Sequence, residues 1–159
     1  MQELYEFIFE KPDIRKLKGE LLNTTFFKTL TPTEISTISR YLQVRKFRKG
    51  ERVFYEGDLG QALYVVLKGQ VEIAKTTRTK RIVLADLSKG MFFGELALVY
   101  DTPRTASAIV KEDTMLVCLF KHDFEKIIGN YPRLGNKLQA IMNNILAQRL
   151  TSLIERTSS

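Results

Sequence analysis

The chain has 159 residues, a formal net charge of +7, one cysteine and one histidine. That length suits one domain with a sizeable core, and apolar and charged fractions of 44% and 27% are ordinary for a globular protein. No apolar run is long enough to span a bilayer, the N-terminus lacks a basic region followed by an apolar one, and the single cysteine and histidine argue against a metal centre, so the composition points to a reducing cytoplasmic setting.

The first elements are helical. Leu4, Phe7 and Ile8 share a helix face, with Tyr5 and Phe9 on another side, and Pro12 breaks that helix or starts a second. This segment is expected to pack on its own domain, and residues 18–25 read as a linker or a short helical turn. Thr31-Pro32-Thr33-Glu34 spells a capping box with proline at the first helical position. It predicts a helix that carries Ile35, Ile38 and Leu42 inward and ends near Tyr41.

From Leu42 to Phe120 the apolar period changes to two. Strands are predicted at 43–48, 52–55, 62–68, 70–76, 80–87, 105–111 and 114–120, with a short one near 91–92, and glycines mark the turns between them. Short strands at such regular spacing make the chain mainly β with flanking helices (α+β), as an eight-stranded β-roll or jelly roll. Cys118, in the apolar run 115–120, is expected to be a small core residue. Basic clusters at 45–49 and 75–81 help attract an anion. No recognition helix accompanies them, and no nucleic acid partner is expected.

Lys121 to Ile128 reads as a helix ending at Gly129-Asn130, with His122 as a surface residue at its start. Tyr131-Pro132 makes a hinge-like break, and a last helix runs from about 133 to 155. It carries two apolar stripes. One is Leu134, Leu138, Ile141 and Ile145; the other is Met142, Leu146, Leu150 and Leu153. One buried face needs a single stripe, so the second implies another partner or a helix wrapped on two sides.

The richest stretch is Gly90–Lys111. Gly94 lets backbone approach a ligand closely. Leu96, Ala97 and Leu98 suit a single helical turn whose leading N–H groups lack partners inside it, which favours an anion there. Pro103 fixes a turn, and Arg104 after it offers a planar fork of donors for phosphate. Glu95 can accept hydrogen bonds from sugar hydroxyls. A ligand wanting all three is a sugar phosphate.

Phe93-Gly94-Glu95-Leu96-Ala97-Leu98, then Pro103-Arg104-Thr105-Ala106-Ser107, resembles the phosphate-binding cassette of the cyclic-nucleotide-binding domain family. Glu56 to Gly60 and Leu63 to Gly69 are similar to that family's glycine-marked strand turns, and the resemblance covers roughly Phe26 to Leu153. It implies that Glu95 holds a ribose 2′-hydroxyl and that Arg104 pairs with the cyclic phosphate. Backbone N–H groups of Leu96, Ala97 and Thr105 would complete the cradle, flanked by Phe93, Gly94 and Ala106. A hydroxyl at Thr105 leaves cyclic GMP open beside cyclic AMP. Val83 and Leu84 are weaker candidates for the base from the opposite sheet, as are Arg149, Thr151 and Ser152 from the last helix, which closes over the base in the family.

The division expected is 1–25 as an N-terminal helical segment, 26–132 as the β-roll with its cassette at 93–107, and 133–159 as a lid or dimerisation helix. The function implied is a cyclic-nucleotide-binding regulatory module that signals through its C-terminal helices, with no catalytic residues, no metal and no cofactor beyond the ligand. Its other partner would be a second copy, joined through the last helix, or a separate effector. The alternative is a ligand-free dimerisation or scaffold domain with a degenerate pocket.

Overall fold

The structure, a computed structural model, describes residues 13–158. The predicted helix face Leu4, Phe7 and Ile8 lies outside them. A 3-10 turn, Ile14–Leu17, leads into helix α1 (Lys18–Leu22) and then α2 (Pro32–Ser39). Eight strands follow: β1 (Gln43–Phe47), β2 (Arg52–Phe54), β3 (Ala62–Lys68), β4 (Gln70–Thr76), β5 (Arg81–Ser88), β6 (Phe92–Phe93), β7 (Ser107–Val110) and β8 (Thr114–Phe120). A 3-10 turn, Glu95–Leu98, separates β6 from β7, and helices α3 (Lys121–Asn130) and α4 (Pro132–Thr157) close the chain.

The strands form two four-stranded sheets, ordered β1-β8-β3-β6 and β2-β7-β4-β5. Every strand pair is antiparallel. Strand β3 shows why the layers stack as they do. Six successive residues, Ala62 to Leu67, are buried. Leu63, Val65 and Leu67 join Val117 and Leu119 of β8 in a core cluster with the helices. Ala62, Tyr64 and Val66 turn the other way, into a second cluster with Val71, Leu87, Ala108 and Val110 of the facing sheet. A strand covered on both faces reads as a continuous apolar run, and the period-two alternation sorts its side chains between two cores. The first sheet is therefore a middle layer, with helices on one side and the second sheet on the other. Cys118 is fully buried in the inter-sheet core, and burial pushes its thiol up to about 12, which keeps it protonated.

The capping box forms as spelled. The Thr31 N–H donates to Glu34 at 2.8 Å, and the Glu34 N–H donates to the Thr31 hydroxyl at 3.1 Å. Glu34 also accepts from Lys137 of α4 at 2.7 Å, so the cap ties α2 to the last helix. Thr31→Ala is expected to cost about 1 kcal/mol of stability, read as a lower urea midpoint with an unchanged slope.

Helix α4 is anchored by its first half. Leu134, Leu138 and Met142 are buried, so both predicted stripes begin in the core. Ile141, Ile145 and Leu146 are half-buried, while Leu150, Leu153 and Ile154 are exposed. Tyr131 alone separates α3 from α4, ending one and leading the other. Gly135 lets the two helices pack tightly: a Cβ there would meet the Ile128 Cα at 2.8 Å.

Candidate functional site

The cassette begins where β6 ends. Gly94 adopts φ +78, a left-handed conformation that side chains disfavour. Space demands glycine as well, because a Cβ would sit 2.8 Å from Arg104 Nη1 and 3.0 Å from the Ala62 carbonyl oxygen. Those two atoms mark how Arg104 is held. Its Nη1 donates to the Gly94 carbonyl at 3.2 Å and its Nη2 to the Ala62 carbonyl at 2.8 Å. The guanidinium carbon lies 4.1 Å from the Phe54 ring centroid and 5.8 Å from that of Tyr64. Nε of Arg104 is buried and has no hydrogen-bond partner among the described residues.

The backbone of Arg104 is fixed too. Its N–H donates to the Asp58 carbonyl at 2.6 Å, and its carbonyl accepts from the Gly57 N–H at 2.8 Å. Leu59 and Pro103 form an antiparallel bridge. The glycine-marked loop after β2 thus grips the Pro103-Arg104 turn. Burial lowers the Arg104 pKa from its ordinary value, with Tyr64 and Asp58 pulling back toward the charged form. A guanidinium stays cationic through such a shift.

Glu95 starts the 3-10 turn and is 3% exposed. Its carboxylate pairs with Arg149 of α4. The Arg149 guanidinium also lies 5.6 Å from the Phe92 ring centroid, and burial lowers its pKa. A buried carboxylate needs such a partner. The Ala97 N–H closes the turn onto the Gly94 carbonyl at 3.2 Å. Midway along the cassette Asp101 pairs with Lys121, the first residue of α3.

Arg104, Glu95 and Arg149 line one cavity of about 790 Å3, within the range of small-ligand sites. Gly94, Glu95, Leu96 and Ala97 form one edge, and Arg104, Thr105 and Ala106 form another. Ile73, Leu84, Ala85 and Leu87 make an apolar wall from β4 and β5, with Phe54 beside them. Helix α4 contributes Ile145, Gln148, Arg149, Ser152, Leu153 and Arg156. The sequence candidates are therefore gathered at one place, with two exceptions. Val83 is exposed on β5 and absent from the lining, whereas its neighbour Leu84 is present. Thr151 faces its own helix, its hydroxyl donating to the Ala147 carbonyl at 3.0 Å, and Ser152 and Leu153 line the cavity instead. Phe93 is buried and stacks on Tyr64, with ring centroids 5.2 Å apart.

Sequence reasoning missed Phe54 beside Arg104, and Gln148, Leu153 and Arg156 on the helix; the strand pair 62–76 is expected at the pocket, and it supplies Ile73 to the lining and Tyr64 near Arg104. The helix residues were open to discovery through the spacing 145, 148–149, 152–153 and 156, which is one helical face. Nothing in the sequence marks Phe54. Among the described residues, no group of three or more His, Cys, Asp and Glu stands where it could hold a metal ion, and no helix is long and apolar enough to cross a membrane.

The two sheets and their helices therefore bring an arginine, a buried carboxylate and a helix wall to one cavity. A profile of the cyclic nucleotide-binding domain matches residues 44–131, and the chain belongs to that family. The chain is 39% identical over 125 residues to the cyclic AMP receptor protein of Thermus thermophilus, covering 78% of this chain and 56% of the relative. It is 36% identical over 115 residues to a cAMP-dependent protein kinase regulatory subunit of Hypocrea atroviridis, covering 72% of this chain and 24% of that one. The chain thus spans little more than half of the first relative and about a quarter of the second. Among solved structures, the catabolite activator protein of Thermus thermophilus superposes with a TM-score of 0.75 at 36% identity, covering 84% of this chain and 61% of that chain. The cyclic nucleotide-binding domain of Methylobacillus flagellatus shares the fold, with a TM-score of 0.77 at 22% identity over 90% of this chain and 81% of that chain.

Proposed function

We propose that the cavity binds a 3′,5′-cyclic nucleotide, cyclic AMP foremost, and that the chain acts as a regulatory module. The observation that carries this reading is Arg104. Backbone carbonyls hold two of its nitrogens, and the third stays buried without a partner. A buried donor left unmatched is costly, and an anionic oxygen is the acceptor that suits it best. The phosphate lies against Arg104, the ribose hydroxyl against Glu95, and the base between the β4–β5 wall and Leu153.

Arg149 and the ribose hydroxyl then share one carboxylate. Ligand entry alters the Glu95–Arg149 contact and so biases α4 between positions. A ligand shifts that balance only by its differential affinity for the two. The exposed Leu150 and Ile154, which lie outside the cavity lining, suit a second copy of the helix or an effector as the receiver of the signal.

Support for cyclic AMP comes from the Thermus relative, whose name states that ligand. Relatives named as cGMP-dependent protein kinases, such as that of Eimeria tenella at 31% identity, keep cyclic GMP as a weaker ligand. Thr105 on the cavity wall is the residue assigned to that difference. The test is titration calorimetry of chain freed of nucleotide by unfolding and refolding. Saturable heat with cyclic AMP supports the reading, and no heat from either nucleotide with well-folded protein rejects it. Thr105→Ala should weaken cyclic GMP more than cyclic AMP; equal losses would remove Thr105 from the selectivity argument.

A further inference from the structure

We propose that Phe54 is a positioning residue for the phosphate site: its ring holds the Arg104 guanidinium in place before any ligand arrives. This rests on the reading of Arg104 as the phosphate-binding group. The residue reaches its place through a defect in β2. The register pairs Arg52 with Ile109 and Phe54 with Ala108, so two steps along β2 match one along β7. Such a bulge breaks the alternation of faces. Without it, Phe54 would share a face with Arg52, which is exposed with its guanidinium over the Tyr55 ring at 4.9 Å. With it, Val53 and Phe54 both pack on the inter-sheet core, and Phe54 lines the cavity.

The ring is braced from behind. Its centroid lies 5.9 Å from those of both Tyr64 and Phe93. Tyr64 and Phe93 stack on each other at 18°. A ring fixed on that side presents a steady face on the other, and at 4.1 Å the guanidinium carbon is well inside the reach of an aromatic face. Arg stacks well because its planar cation is weakly hydrated. The two carbonyls fix the guanidinium at its Nη atoms, and the ring blocks it from swinging off that plane. The entropy of ordering a long side chain is then spent on folding, not on ligand capture.

The experiment compares wild type, Phe54→Leu and Phe54→Tyr as full chains. Calorimetry with cyclic AMP gives the affinity, and the nitrogen-15 spectrum of the free protein gives the Arg104 Nε–H signal, identified by its loss in Arg104→Ala. Expected is about a tenfold loss of affinity in Phe54→Leu, recovered in Phe54→Tyr, which keeps the ring. In free wild type the Nε–H signal should be displaced upfield by the ring and exchange slowly; in Phe54→Leu it should move back and broaden. Unchanged affinity in folded Phe54→Leu overturns the proposal. So does lost affinity with an unmoved Nε–H signal, which would mark Phe54 as mere packing. If Phe54→Leu does not fold, the wild-type signal decides: an undisplaced Nε–H means that the ring does not hold Arg104. A wild type that binds no cyclic nucleotide would reject the proposed ligand, while the free-protein spectra would still judge the positioning.

Discussion

Arg104→Ala is expected to weaken cyclic nucleotide binding by about 2–5 kcal/mol, roughly thirtyfold to a few thousandfold. Calorimetry against wild type gives the number, and a thermal melt of both proteins confirms that the fold survives. The size follows from where the charge sits. Arg104 is partly buried, gripped by Gly94 and Ala62 carbonyls, and backed by Phe54. Its loss removes a charge-assisted contact in a desolvated place and leaves the phosphate with no cation in the same position. Arg104→Lys should recover only part of the loss, because an ammonium keeps the charge but lacks the planar fork and stacks poorly on the ring. An Arg104→Ala protein that binds as well as wild type would place the phosphate elsewhere in the cavity.

Leu138→Ala is expected to lower stability by about 2–5 kcal/mol, the range for deleting a buried leucine side chain without collapse of the gap. Urea unfolding followed by circular dichroism measures it. Leu138 is 0% exposed and belongs to the core cluster that joins α4 to Phe124, Ile127 and the helix-facing side of β3. The same helix carries Arg149 to Glu95 about three turns further on. A loosened α4 should therefore also weaken the Glu95–Arg149 contact, and nucleotide affinity is the second readout. A loss well under 1 kcal/mol would show that α4 is not held by this face.

Much of the fold was legible because its local signals agree with its global ones. The capping box at Thr31–Glu34 forms atom for atom, and the strands between Leu42 and Phe120 fall close to where the period of two places them. Differences sit at ends. The predicted strand 105–111 shortens to Ser107–Val110, because Arg104 is drawn into the loop after β2 through its own backbone. The helical turn of the cassette is 3-10, Glu95–Leu98, as suits a four-residue segment closed by the Ala97 N–H on Gly94.

The cassette was legible because short-range spacing encodes it. What surrounds it was not, because those contacts are long-range. Phe54 meets Arg104 only through a bulge, and a bulge in a three-residue strand leaves no periodic trace. Whether Arg149, Thr151 or Ser152 faces the cavity depends on helix rotation. Rotation is fixed by Gly135 packed on Ile128 and by Leu134 in the core, more than a turn away from the residues in question.

One wall of the cavity is a helix face, Ile145 to Arg156, whose outer residues remain exposed. Affinity for whatever fills the cavity and affinity for whatever grips that helix are then not independent quantities. If a helix-bound partner changes nucleotide affinity by some factor, the nucleotide must change the partner's affinity by the same factor, since the free energy around the closed cycle sums to zero. A partner found through its effect on nucleotide affinity would thus come with its own regulation already measured.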